Sequence, residues 1–469
     1  MERRKFLNLG LLATMAGTIA VPEIIYGSTA DEKHKSIGSA KNIIFMVSDG
    51  MSNGTLTMAD LLMQRKLGYG SKWLQLYREN KIKHALMDTA SADSLVTDSA
   101  AGCSAWGGGV RVKNGSLNIN ADGTSNKPIL QKFKDAGKSV GCVTTVPITH
   151  ATPAGFAIST KNRGSQEEIA NLYLSHRFDV MMGGGSEYFS KEKRKDSRDL
   201  FAEFASQGFS VATNKTELLN SQTNKPLLGV FYEDGLPYTL DQKSTHTLLE
   251  TIPTLAEMTL KAIQQLSKNP NGFVMQVEGG KVDWGAHAND IGALLYDQIA
   301  FDEAVAVAID FAETHNDTLV VITTDHGNAN PGLIKSRNVD TNFDRIQQFK
   351  YTNEWILNKI SKNDTPSKVI ELINEAQGYA ITANDASEIL THYEDLSNDG
   401  IYNAYKLPFR KLAEIQQLYT SVGWSGMDHS GDFVELAMFG PGSDLLNPMV
   451  KNFELHNLML QAAGVNVGR

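Results

Sequence analysis

The chain has 469 residues, enough for one large α/β domain with insertions or for two to three smaller domains. Hydrophobic residues make up 41% and charged residues 21%, a globular balance that excludes a disordered chain and a polytopic membrane protein. The 44 basic and 53 acidic residues give a net charge of −9, which leaves no basic surplus for a nucleic-acid-binding face. Two cysteines make neither a disulfide framework nor a paired-cysteine zinc site, so any metal must be held mostly by His, Asp and Glu.

In chain order, Arg3 and Arg4 precede an apolar, small-residue stretch from Phe6 to Ile25, and Ser28-Thr29-Ala30 offers a cleavage site. This order resembles a twin-arginine export signal. Residues 1–30 are therefore expected to direct the remaining 31–469 to the periplasm or the exterior. The apolar run is interrupted by glycines, threonines, Pro22 and Glu23, which makes it a poor permanent membrane span.

Short apolar, β-branched runs then end abruptly in polar residues. Ile43–Val47 runs into Ser48-Asp49-Gly50, and Ser139–Val143 into Thr144-Thr145. Phe273–Val277 runs into Glu278-Gly279-Gly280, and Leu319–Ile322 into Thr323-Thr324-Asp325-His326, with a last run at Phe433–Phe439. Nearly continuous apolar strands predict a sheet covered on both faces. Between them lie helical patterns, the clearest from Asp290 to Phe311. Strands alternating with helices predict a doubly wound α/β sandwich, in which sites form at the carboxyl ends of the strands. Gly183-Gly184-Gly185 lacks the glycine spacing and lysine of a nucleotide loop and reads as a turn. The stretch from about 333 to 419 is polar and mainly helical, and reads as an insertion or cap.

The acidic residues and histidines at those strand ends carry the functional signal. Asp283 and His287 are four apart and share a face if helical. Taken singly, each has an ordinary role open to it: Asp49 as a helix cap, Asp325-His326 as a polar strand end, His429 in Gly426–Gly431 as a loop histidine. Together, Asp49, Glu278, Asp283, His287, Asp325, His326 and His429 supply four carboxylates and three histidines. That mixture suits two zinc ions and a harder, oxygen-bound ion such as magnesium. Two such metals can clamp the attacking and leaving oxygens of an in-line phosphoryl displacement. Ser99, followed by Ala100-Ala101-Gly102, reads either as a helix cap or as a nucleophile at a helix N-terminus. No histidine lies near it in sequence, which favours a metal as its activator. Arg163 offers a fork for two phosphate oxygens, or a surface charge, and Thr152 a hydroxyl oxygen for the hard ion.

These residues resemble the alkaline phosphatase family. The matching segments are Ser48–Met51, Asp98–Ala101, Ala105–Val110 through Gly115, His150–Ala154 through Arg163, Glu278–Gly280 through Asp283 and His287, Thr324–His326, and Asp428–Ser430. The resemblance implies a three-layer sandwich with a large, mostly parallel central sheet and helices on both faces. It implies a first zinc held by Asp283, His287 and His429, a second by Asp49, Asp325 and His326, and magnesium held by Glu278, Thr152 and Asp49. It further implies that Arg163 grips the phosphate, that Ser99 attacks to give a phosphoserine, and that water activated at the first zinc hydrolyses it. The substrates would be small phosphate monoesters and the assembly a homodimer. His150 and Trp284 stand where some bacterial relatives place Asp and Lys. With His150 in place of a carboxylate, the third ion is expected to be weakly held, water-mediated or replaced. Cys103 and Cys142 read as buried, unpaired thiols. The alternatives are a phosphodiesterase or sulfatase of the same superfamily, or a metal- and phosphate-binding protein without turnover. The sulfatase stretch fails at Cys103-Ser104-Ala105-Trp106-Gly107.

Overall fold

The computed structural model describes residues 37–393 and 406–466; the expected export signal lies outside these residues. The strands are β1 (Asn42–Val47), β2 (Lys83–Asp88), β3 (Ser139–Pro147), β4 (Val180–Gly184), β5 (Ser210–Ala212), β6 (Leu227–Val230) and β7 (Phe273–Glu278). They continue with β8 (Thr318–Thr323), β9 (Gly327–Asn328), β10 (Gly332–Leu333), β11 (Val422–Gly423), β12 (His429–Ser430), β13 (Val434–Phe439) and β14 (Met449–Lys451). A ten-stranded sheet runs in the order β14-β2-β13-β8-β1-β7-β3-β4-β6-β5. β13 is antiparallel to both of its neighbours and the other pairings are parallel.

The continuous apolar runs have a direct cause. All six residues of β1 are buried. Successive side chains point to opposite faces, so Ile44 and Met46 join one core while Ile43, Phe45 and Val47 join the other. The first core includes the helices 53–67, 255–266 and 291–314, and the second the helices 99–108, 129–135, 151–157 and 454–462. The predicted helix at Asp290 is found as Ile291–Thr314, with the Asp290 carboxylate accepting from Ala293 N.

Two local expectations are corrected. Gly183 and Gly184 are strand residues of β4, with Gly183 opposite Val230. A Cβ on Gly183 would meet the carbonyl of Val146 at 2.8 Å, so close packing explains the glycine; the chain turns only at Gly185, φ 90°. Likewise β3 does not stop before Thr144-Thr145 but continues to Pro147, which places Thr144 beside Glu278 of β7.

Between β10 and β11, which pair antiparallel (Gly332 opposite Gly423), the described chain is helical. Its Phe343, Ile346, Ile356, Val369, Ile373 and Leu412 belong to the same core as Ile44 of β1. The segment thickens one helical layer of the sandwich rather than forming a core of its own.

Candidate active site and metal centre

The strand ends converge. Asp49 follows β1, Glu278 closes β7, and Asp325-His326 follows β8. Asp283 and His287 sit one turn apart on the helix Lys281–His287, with Asp283 Oδ2 3.4 Å from His287 Nε2. His429 lies on β12, which pairs with β9 directly after His326. Three groups result, in each of which the candidate ligand atoms lie within 4.8 Å of one another: Asp283–His287–His429, Asp49–Asp325–His326, and Asp49–His150–Glu278. The first two are the sets implied for zinc. Thr152, on the helix Ala151–Ala157, brings its hydroxyl to 3.5 Å from Asp49 Oδ2 in the third.

Histidine orientation decides whether these groups fit cations. Nδ1 of His287 faces the carbonyl of Met427 at 2.6 Å, Nδ1 of His429 that of Thr97 at 2.9 Å, and Nδ1 of His326 that of Gly327 at 3.3 Å. A carbonyl only accepts, so each Nδ1 carries a proton and each Nε2 faces the cluster, where it offers a lone pair whenever a cation takes the place of a second proton. His287 Nε2 and His429 Nε2 then stand 3.0 Å apart, lone pair to lone pair, which requires a positive charge between or on them. Asp49 Oδ1, Asp325 Oδ2 and Glu278 Oε1 are buried without a hydrogen-bond partner. Burial and the neighbouring carboxylates push Asp49 well above the usual range, and burial pushes Glu278 up to about 7. Burial would also raise Asp283, but the His287 and His429 charges hold it below the usual range, and Asp283 in turn lifts His287 to about 9 against burial. The donors and the surplus of buried negative charge fit divalent cations.

The third group is different. Nε2 of His150 lies 3.2 Å from Arg163 Nη2. A guanidinium only donates, so His150 accepts through Nε2 and its proton sits on Nδ1. Burial, then the Arg163 charge, lower His150 to about 3, which keeps it neutral. In that tautomer the ring has no lone pair left for a cation. The oxygens of Asp49, Glu278 and Thr152 are the donors that remain, and they suit a hard ion.

Ser99 is the first residue of the helix Ser99–Gly108, whose cap is Asp98, accepting from Ala101 N at 2.9 Å. Ser99 Oγ is 3.3 Å from His326 Nε2; the histidine beside it comes from far along the chain. Arg163 is anchored by Asp98 Oδ2 at 3.1 Å and by His150. Trp284 joins no metal group; its ring meets His150 edge-on at 6.3 Å. Cys103 and Cys142 are free and buried.

Three supporting residues fall outside the candidate site set read from the sequence, although Gly50 lies within the Ser48–Met51 segment. Thr144 donates to Glu278 Oε2 at 2.5 Å, Asn328 Nδ2 to Asp283 Oδ1 at 2.7 Å, and Gly50 N to Asp325 Oδ1 at 3.1 Å. Each fixes a carboxylate; the Thr144 contact depends on the β3–β7 register, and the Asn328 contact on the path of the chain through β9.

Comparison with known proteins now carries weight. The family model described as alkaline phosphatase matches residues 40–465. The chain belongs to the alkaline phosphatase family. It is an enzyme of that family's class, a phosphoric monoester hydrolase. It is 28% identical to alkaline phosphatase 4 of Bacillus subtilis, over 98% of this chain and 96% of that one. To the repressible alkaline phosphatase of Saccharomyces cerevisiae it is 29% identical, over 83% and 74% respectively. The crystal structure of Thermus thermophilus alkaline phosphatase superposes with a TM-score of 0.84 at 31% identity, covering 93% of this chain and 94% of that one.

Proposed function

We propose that the enzyme hydrolyses phosphate monoesters through a phosphoserine on Ser99. Ser99 Oγ at the head of a helix, 3.3 Å from His326 and beside two three-residue metal groups, carries this reading. Asp283, His287 and His429 would hold one zinc, Asp49, Asp325 and His326 a second, and Asp49, Glu278 and Thr152 a magnesium. When bound, these ions supply Lewis-acid stabilisation of the attacking and leaving oxygens.

The chain's own residues do the rest. Arg163, braced by Asp98 and His150, presents its fork to two phosphoryl oxygens, and the first amides of the Ser99 helix face the same charge. Ser99 Oγ attacks phosphorus in line, the bond to the alcohol oxygen breaks, and the alcohol leaves with a proton. Water then attacks the phosphoserine from the vacated side, which releases phosphate and restores the hydroxyl. Export by the Arg3-Arg4 signal and a homodimeric assembly belong to the same proposal, tested by cell fractionation and by light scattering.

The deciding experiment is hydrolysis of a chromogenic phosphate monoester from about pH 6 to 11 by wild type and Ser99→Ala, with zinc and magnesium measured on the same samples. Expected are an alkaline optimum and a loss of at least about a thousandfold in Ser99→Ala with its metals retained. Faster turnover of a phosphodiester or sulfate ester would overturn the monoester reading. Full metal without turnover of any ester would leave a binding protein.

A further inference from the structure

A cleft of about 560 Å³ opens beside the metal groups, lined by His287 of the first group and by Trp284 next to Asp283. Its walls come from the loop after β6, the helix Lys281–His287, and the segment between β10 and β11, through Trp355 and Phe409. Ser99 lies at the Asp49–Asp325–His326 group, so in-line displacement sends the departing oxygen to the opposite side, toward Asp283–His287–His429. That is where the cleft begins.

Its chemistry is unusual. Lys281 is only 4% exposed. Its ammonium lies 3.7 Å from the ring centre of Tyr238 and 4.3 Å from that of Trp284. Among the described residues no hydrogen bond or ion pair reaches this ammonium. It therefore keeps three N–H donors beside two π faces, with its charge balanced at longer range by the carboxylates of Asp297 and Asp241. The walls are braced: a Cβ on Gly235 would come within 2.9 Å of the Trp284 ring, and Trp355 stacks on Tyr351 at 4.1 Å. Asp234, Asp241 and Glu354 also line the cleft and disfavour an occupant with further negative charge. The volume is that of a small-molecule site, roughly 300–1,000 Å³, and exceeds what a short alcohol fills.

We propose that this cleft is a leaving-group subsite selecting monoesters whose alcohol bears a flat ring with hydrogen-bond acceptors, the class of nucleoside monophosphates, with Lys281 as donor and Tyr232, Trp355 and Phe409 as walls. The inference rests on the Ser99 reading above. It assigns a specificity role to Lys281 and to the segment between β10 and β11.

The test compares kcat/KM for adenosine 5′-monophosphate and for ethyl phosphate, both esters of primary alcohols and so of similar intrinsic reactivity. Wild type is measured beside Trp355→Ala, Lys281→Met and Gly235→Ala. Wild type is expected to prefer the nucleotide. Each variant should lose about tenfold on it, mainly through KM, with ethyl phosphate changed less than about twofold. No preference in wild type, or parallel changes on both substrates in Trp355→Ala, overturns the subsite. Ethyl phosphate does not use the cleft: if wild type hydrolyses neither ester, or Ser99→Ala still hydrolyses ethyl phosphate, the nucleophile reading itself has failed. Unchanged ethyl phosphate turnover also shows that a variant is folded, and Trp355→Ala decides if Lys281→Met is not.

Discussion

Asn328→Ala tests how far the zinc-binding geometry depends on residues that never touch a metal. Asn328 is fully buried on β9, opposite His429 on β12, and its Nδ2 donates to Asp283 Oδ1 at 2.7 Å and to the Asp283 carbonyl at 3.3 Å. It therefore orients one ligand through its side chain and another through strand pairing. A hydrogen bond to a charged carboxylate contributes about 1.5–3 kcal/mol. Alanine keeps the strand pair but leaves Asp283 Oδ1 without its donor, at a residue only 5% exposed. At about 1.4 kcal/mol per factor of ten, the Asp283–His287–His429 group should bind zinc about ten- to a hundredfold more weakly. Outer-sphere partners of metal ligands typically have effects of that size. Zinc retention against a graded chelator and kcat/KM on the same samples measure it. The unfolding midpoint of chelated protein, expected to fall modestly, separates this from a global loss of structure. Retention and kcat/KM both within about twofold of wild type would refute the reasoning.

Asp98→Ala removes both the acceptor of Arg163 Nη1 and the cap of the Ser99 helix. We expect about 1 kcal/mol of lost stability and about a tenfold weaker inhibition by inorganic phosphate, smaller than for Arg163→Ala because His150 still holds the guanidinium. Gly155 lets the helices carrying Ser99 and Thr152 touch, and a Cβ there would lie 2.2 Å from Cys103 Sγ. Gly155→Ala should cost about 1–3 kcal/mol by overpacking, read as a lower denaturation midpoint, together with reduced turnover. Asp297 is raised to about 7 by burial, against the pull of Lys281 and of its bonds to Thr239. A folded pKa above the ordinary aspartate value of about 3.9 means that this group's stability contribution is full below about pH 4 and is lost as pH rises through about 7. Asparagine can still accept from Thr239 N and donate to its hydroxyl, so Asp297→Asn should match wild type near pH 4 and exceed it by up to about 4 kcal/mol near pH 8. Urea midpoints across that range check the sign; a less stable variant at pH 8 would mean that attraction to Lys281 outweighs burial.

The parts of the fold legible in the sequence are those where burial is symmetric. β1, β7 and β8 read as unbroken apolar runs because both faces are covered, and all six residues of each are buried. β2 was not legible: Lys83, His84 and Leu86 are exposed while Ala85 and Met87 are buried, an alternation diluted by polar residues near the sheet margin. β4 was misread because glycine ordinarily breaks strands, whereas here close packing against β3 requires it. The candidate ligands were legible for a related reason. Asp49, Glu278, Asp325 and His326 fall where an apolar run stops, and Asp283 and His287 on the helix that follows β7; it is their combination, not any one of them, that points to a metal site.

What the pattern could not supply is the role that depends on which strand lies beside which. Thr144 meets Glu278 only because β3 pairs with β7 in that register, and Asn328 meets Asp283 only because the chain doubles back from β8 through β9. His150 shows the limit most sharply. By residue type it is a metal ligand, yet its Nε2 accepts from Arg163, and a nitrogen that accepts from a guanidinium is not free for a cation. The imidazole is thus engaged by Arg163 rather than by the third metal group. The same argument governs the cleft. Lys281 is two residues from Asp283 in the chain, but only the fold sets its ammonium against the rings of Tyr238 and Trp284 in the wall of the cleft.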